Sequence, residues 1–164
     1  MSYLVQISDL LVDPGAAREE TGSIPLVVDL PNAAVDGEGA IEVKLRSLSD
    51  GVVARGTVHV NAELTCKRCL TTWSEPVEIP FEQVYRREPD DADDELGLID
   101  GHSIDLEPAV HDEVVLSLPT APVCRDDCLG LCAVCGTDLN VDPCDGHGDG
   151  SDSPFAALKQ LFDS

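Results

Sequence analysis

Residues 40–85 read AIEVKLRSLSDGVVARGTVHVNAELTCKRCLTTWSEPVEIPFEQVY. Ile41, Val43 and Leu45 alternate with Glu42, Lys44 and Arg46, the period of two that turns one side of a strand to a core and the other to water. Ser49-Asp50-Gly51 turns the chain. A second run then sets Val58, Val60, Ala62 and Leu64 against Thr57, His59, Asn61 and Glu63, which places His59 on the solvent side. A third, from Trp73 to Tyr85, alternates through Val77, Ile79 and Phe81. Alternating runs joined by short turns predict an antiparallel meander, and Cys66 and Cys69 fall at the tip of its second hairpin.

Working outward, the short apolar piece Leu4 to Val12 carries Ile7, Leu10 and Leu11 at helical spacing, enough for a single turn before Asp13-Pro14-Gly15. Residues 16–23 are polar and read as a loose connection, IPLVVDL (24–30) as a strand, and 32–39 as a turn. Downstream, RREPDDADDE (86–95) reads as a solvated linker whose spacing does not match a calcium loop. A short strand over 96–99 and a turn at Asp100-Gly101 follow.

The clearest helix is DLEPAVHDEVVLSL (105–118). Pro108 is tolerated in its first turn, where the missing N–H has no intrahelical partner, and Pro119 stops its far end. Leu106, Val110, Val114 and Leu118 recur every fourth residue and should pack on the sheet. His111-Asp112-Glu113 resembles a catalytic cluster only in print, because successive helical residues point in different directions. Beyond a GDGSDS spacer, Pro154 opens a short amphipathic helix, PFAALKQLF. The expected fold is α+β: an antiparallel β-meander or partly closed barrel packed by one main helix, with a cysteine-rich zinc-binding C-terminal region. The expected parts are a body over 1–123, a metal-binding segment over 124–147 docked on the 66–69 hairpin tip, and a spacer with a short helix over 148–164.

The metal reading comes from CRDDCLGLCAVCGTDLNVDPCDGH (124–147), which holds five of the seven cysteines. With Cys66 and Cys69 upstream, the chain has two C-x2-C units, Cys66/Cys69 and Cys132/Cys135, each able to aim two sulfurs at one point. Tetrahedral zinc needs four ligands. The favoured division gives Cys66, Cys69, Cys124 and Cys128 to one zinc and Cys132, Cys135, Cys144 and His147 to another. A rival joins the two C-x2-C units in one zinc ribbon and leaves Cys124, Cys128 and Cys144 over. His147 rests on spacing alone, within a DGHGDG run that also reads as an exposed loop. An odd cysteine count, and a start without a basic, apolar secretory leader, argue for a reducing cytoplasm rather than disulfides. Thioredoxin-like redox chemistry at Cys66–Cys69 would need the pair to open a helix, whereas strand-like sequence flanks it.

The net charge of −22, from 32 acidic and 10 basic side chains, repels nucleic acid at long range and attracts basic proteins. Only Lys67-Arg68 and Arg86-Arg87 pair basic residues in sequence, as a local spot for RNA or an offset to nearby thiolates. The chain contains no G-x-x-x-x-G-K-[ST], G-x-G-x-x-G or H-E-x-x-H motif, and nearly all-thiolate sites are structural, so no enzyme, membrane role or small-molecule substrate is expected.

The order of C-x-R-C-L (66–70), an acidic loop, I-D-L (104–106), Leu118-Pro119 and G-L-C-x-V-C-G-x-D-L-N (130–140) resembles the YceD family, the large ribosomal RNA subunit accumulation proteins. The resemblance spans roughly Leu4 to Phe162. It implies a non-enzymatic factor needed for 23S ribosomal RNA to accumulate during large-subunit assembly, with a basic large-subunit ribosomal protein, a 23S precursor, or both as partners. Members differ in cysteine number, so the resemblance does not fix two zincs. A zinc-thiolate redox switch exposing a chaperone-like surface is the alternative, and Asp126-Asp127 beside Cys124 and Cys128 argue against it.

Overall fold

The computed structural model describes residues 2–88, 97–144 and 146–147. Seven strands and a helix follow in chain order: β1 (Leu4–Gln6), β2 (Ala17–Leu30), β3 (Ala33–Ser47), β4 (Gly51–Thr65), β5 (Thr72–Arg86), β6 (Gly97–Leu98), β7 (Ser103–Asp105) and α1 (Glu107–Ser117). Strands β2 to β5 form an antiparallel meander, β6 adds a parallel edge to β5, and β1 pairs with β7 in a separate small sheet. The helix touches both β2 and β5, which lie three places apart in the sheet, so the sheet curls around it as a half-barrel. Among the described residues the protein is mostly β, with one helix.

Alternation in sequence becomes burial on the concave face. Ile41, Val43 and Leu45 of β3, Val58, Val60, Ala62 and Leu64 of β4, and Ile79, Phe81 and Tyr85 of β5 are buried together with Ile24, Leu26 and Val28 of β2. The helix adds Val110 and Val114, and Leu106 and Leu118 at its two ends close the core. Each buried Val, Leu, Ile or Phe side chain among these contributes about 1.5–3 kcal/mol relative to exposure. Gly56 lets the sheet close up, because a Cβ there would lie 2.2 Å from the Glu42 carbonyl oxygen and 2.9 Å from the Phe81 ring.

Asp105 ties the small sheet to the helix. Its Oδ1 accepts from the N–H groups of Tyr3 (2.9 Å) and Glu107 (3.1 Å), so a carboxylate serves a free N–H in the first turn. The buried Tyr85 hydroxyl donates to the Asp105 carbonyl at 2.8 Å, and its proton is held well above the usual phenol range by burial and then by the Asp105 charge.

Several expectations are corrected. Residues 17–23 are not a loose connection but the first half of β2, in unbroken register with β3 from Ala17↔Arg46 to Leu30↔Ala33. Their polar side chains hid a strand whose partner was not apparent from the segment itself; Glu19 pairs with Lys44 across it at 3.0 Å, and Arg18 reaches Asp9 and Glu20. The turn expected over 32–39 shrinks to Pro31-Asn32, and residues 33–39 belong to β3, where Ala33 and Val35 are buried. An irregularity in register with β4 between Ala34 and Ala40 takes up Asp36-Gly37, where Gly37 has φ 145°. The helix runs over Glu107–Ser117 rather than 105–118, since Asp105 ends β7. Arg86, expected in the linker, ends β5. Residues 89–96, with most of the expected linker, and the spacer and helix expected over 148–164 lie outside the described residues. Among the described residues, no helix is long and apolar enough to cross a membrane.

Candidate metal centres

The β4–β5 hairpin pairs as far as Thr65↔Thr72, leaving Cys66–Thr71 as its tip. This tip closes on itself: Cys66 N–H donates to the Thr71 carbonyl (2.9 Å) and Leu70 N–H to the Cys66 carbonyl (2.9 Å). Arg68 N–H points at Cys66 Sγ (3.4 Å), Cys69 Sγ lies 3.3 Å from Thr71 Oγ1, and Leu70 takes a left-handed φ of 60°. Cys132–Thr137 repeats the device. There Cys132 N–H donates to Thr137 (2.8 Å), Gly136 N–H to Cys132 (2.9 Å), Cys135 Sγ meets Thr137 Oγ1 at 3.1 Å, and Gly136 has φ 74°. The shared pattern C-x-x-C-x-T thus makes the same knuckle twice.

Each knuckle receives two further ligands. After the helix, Lys67 N–H donates to the Pro122 carbonyl (3.0 Å), which lays Cys124 and Cys128 against the hairpin tip. Arg68 fastens that loop, its Nη1 donating to the carbonyls of Asp126 (3.1 Å) and Cys128 (3.0 Å) while its own carbonyl accepts from Leu131 N–H (3.0 Å). The second knuckle gathers Cys144 and His147 from just downstream. The ligand atoms of Cys66, Cys69, Cys124 and Cys128 all lie within 4.8 Å of one another, as do those of Cys132, Cys135, Cys144 and His147. The structure therefore sets the two C-x2-C units in different groups.

The spacing suits a tetrahedral ion. Zinc–sulfur bonds of about 2.3 Å imply sulfur–sulfur edges of about 3.8 Å. The close contacts are 3.9 Å for Cys66–Cys128, 3.6 Å for Cys69–Cys124 and 3.8 Å for Cys135–Cys144, with His147 Nε2 3.1 Å from Cys144 Sγ. A disulfide would need about 2.05 Å, and all seven cysteines are free. Seven thiols and an imidazole, in two sets of four, are a donor set that can hold two zinc ions.

The groups differ in setting. Cys66, Cys69 and Cys128 are buried against Trp73, Val123 and Leu131, whereas Cys135 and His147 are exposed and Cys132 and Cys144 half-buried. Burial pushes the Cys66 thiol up, but N–H groups of Cys69, Cys124 and Arg68 outweigh it and bring Cys66 down to about 6. Cys124 is exposed as a residue, yet its sulfur faces the group; burial, then the neighbouring Cys69, Cys128 and Cys66, push it up to about 12. In the second group the Thr137 hydroxyl and N–H, with His147, bring Cys135 down to about 6. The Cys135 thiolate in turn raises His147. Cys144 rises despite the Gly146 N–H, because burial and its Cys132 and Cys135 neighbours oppose a further negative charge. Crowded thiols share protons unequally, and a cation in their midst would remove that conflict.

Residues that seemed peripheral in sequence prove to be fittings. Arg68 is committed to loop carbonyls, Arg86 to Asp50 at 3.0 Å and Arg87 to the Leu11 carbonyl at 3.1 Å. Asn140 was not singled out, although Asp138-Leu139-Asn140 has the composition of a side-chain-closed turn: Asp138 Oδ1 accepts from Asn140 N–H at 2.9 Å. His59 lies on the outer face, Nδ1 3.5 Å from Glu78, and His111 lies 3.5 Å from Asp112.

Fold and sites together define a β half-barrel whose hairpin tip and post-helix segment carry two thiol-rich, four-ligand groups. A family model described as large ribosomal RNA subunit accumulation protein YceD matches residues 54–162, and the chain belongs to that family. An uncharacterised protein of Mycobacterium tuberculosis is 37% identical over 153 residues, covering 87% of this chain and 72% of its own length, and one from Mycobacterium bovis matches equally. An uncharacterised protein of Mycobacterium leprae is 37% identical over 112 residues, 65% of this chain and 51% of its own. No solved structure matches.

Proposed function

We propose that the protein is a non-enzymatic, cytoplasmic factor that supports 23S ribosomal RNA accumulation during large-subunit assembly, with two structural zinc ions. Membership of the YceD family carries the ribosomal part of this reading. Support for the metal comes from donor chemistry: nearly all-thiolate sets of four, tied into backbone knuckles, hold zinc for structure rather than catalysis. When bound, zinc supplies a fixed positive centre that neutralises thiolates and locks chain segments together.

The partner we propose is a basic large-subunit ribosomal protein. Arg18, Lys44, Arg55, Arg86 and Arg125 all sit in ion pairs with carboxylates of this chain, so they form no free cluster to displace counterions from phosphate. The remaining acidic surface steers a basic partner and does so less at high salt.

The test is affinity purification from growing cells with zinc retained, followed by RNA and protein identification. Enrichment of 23S precursor with large-subunit proteins is the expected result. Recovery of general unfolded clients, and only after peroxide, would contradict it and favour a redox switch.

A further inference from the structure

We infer that Asn140 couples the two metal centres: a residue of the second centre's loop that positions a ligand of the first, so that filling one strengthens the other. The inference rests on the two-zinc reading above. Asn140 lies between Cys135 and Cys144 in sequence, yet its amide works on the other group. Nδ2 donates to Cys128 Sγ (3.5 Å) and to Asp138 Oδ1 (2.6 Å). Oδ1 accepts from Leu129 N–H (2.9 Å) and from Arg125 Nη2 (2.7 Å). Both donors and both lone pairs of the amide are therefore engaged, and three of the four bonds run into the Cys124–Cys128 loop or its flank.

The backbone continues this link. Leu139 N–H donates to the Gly130 carbonyl (2.9 Å), Leu131 bridges to Asp138, and Leu131 N–H donates to Arg68 in the first knuckle (3.0 Å). Gly130 makes the approach possible: with φ 80° and a Cβ position 3.0 Å from the Arg68 carbonyl oxygen, a side chain there would push the layers apart. The 138–140 turn is held between the second knuckle and Cys144, so an ion that closes the second centre fixes the turn. A fixed turn keeps an amide N–H aimed at the Cys128 sulfur and so holds that ligand in place for an ion. Binding linkage makes the effect reciprocal.

Cobalt titration of the full-length apoprotein tests this, because a four-sulfur cobalt site and a three-sulfur, one-nitrogen site differ in their visible spectra. Asn140→Asp keeps the turn-forming oxygens but removes the donor to Cys128 and places a charge beside it. We expect it to weaken the four-sulfur site by about ten- to a hundredfold, as for other outer-shell partners, and the second site less, with circular dichroism unchanged. Cys135→Ser with Cys144→Ser should also weaken the four-sulfur site, and that penalty should vanish in an Asn140→Asp background. Penalties that simply add, or an Asn140→Asp protein whose four-sulfur site is as tight as wild type, would overturn the coupling while leaving two centres standing. A wild-type protein that takes up only one cobalt would overturn the two-centre reading and the coupling together.

Discussion

The two knuckles share a backbone and differ in everything around it. Cys66–Thr71 caps a long hairpin and finds its other ligands more than fifty residues on, with Cys69–Cys124 separated by 55 positions and Cys66–Cys128 by 62. Cys132–Thr137 finds its own within the stretch that ends at His147. The first centre closes a long loop over the helix and packs against Trp73; the second is local and open to water. A cross-link that closes a long loop removes more freedom from the unfolded chain, although the dependence on length is weak. The local pattern fixes the knuckle, and its surroundings decide what the knuckle holds together.

The largest expected effect is loss of the first centre. Cys66→Ser with Cys69→Ser should lower the thermal midpoint steeply and broaden the transition in calorimetry, since structural zinc is worth about 10–16 kcal/mol in small peptides. Cys132→Ser with Cys135→Ser should leave most of the β-sheet transition in place. Equal losses in the two variants would remove the distinction between a load-carrying centre and a local one.

A smaller effect is expected at Arg68. Arg68→Ala removes two bonds to the carbonyls of Asp126 and Cys128 and should cost about 1–2 kcal/mol in denaturant unfolding, with the first centre's metal affinity falling more than the second's. If Arg68→Ala weakened RNA or partner binding while zinc affinity held, its role would lie at an interface instead.

The smallest effects sharpen the likeness of the knuckles. Leu70 is 61% exposed and holds a left-handed φ of 60°, so Leu70→Gly should leave stability unchanged or raise it by up to about 1 kcal/mol. Gly136→Ala, at φ 74°, should lower the second centre's stability by about 1 kcal/mol. Chelator-competition midpoints would read both, and the same sign at both positions would mean the turns are not equivalent.

Sequence was most informative where a period ran long. Ile41 to Leu45, Val58 to Leu64 and Val77 to Phe81 alternate cleanly, and each run is a strand of the sheet. It was least informative where partners supply the structure. Glu19-Glu20-Thr21 has no apolar period and becomes a strand because β3 offers an edge, and the three-residue β1 and β7 pair without leaving any pattern to read. For the sites, ligand spacing marked all eight residues that the structure gathers in two groups. Arg68 read in sequence only as half of a basic pair and Asn140 only as the end of a motif; their contacts stayed hidden because these are to backbone carbonyls, an N–H and a sulfur that come close only in the folded chain.

Native mass spectrometry of the protein purified with zinc retained can count the ions in the two unequal centres. About two zinc ions per chain are expected, with the Cys66→Ser, Cys69→Ser protein and the Cys132→Ser, Cys135→Ser protein each losing a different one. A single zinc abolished by either double substitution would mean that both C-x2-C units clasp one ion, and would contradict the two-centre reading.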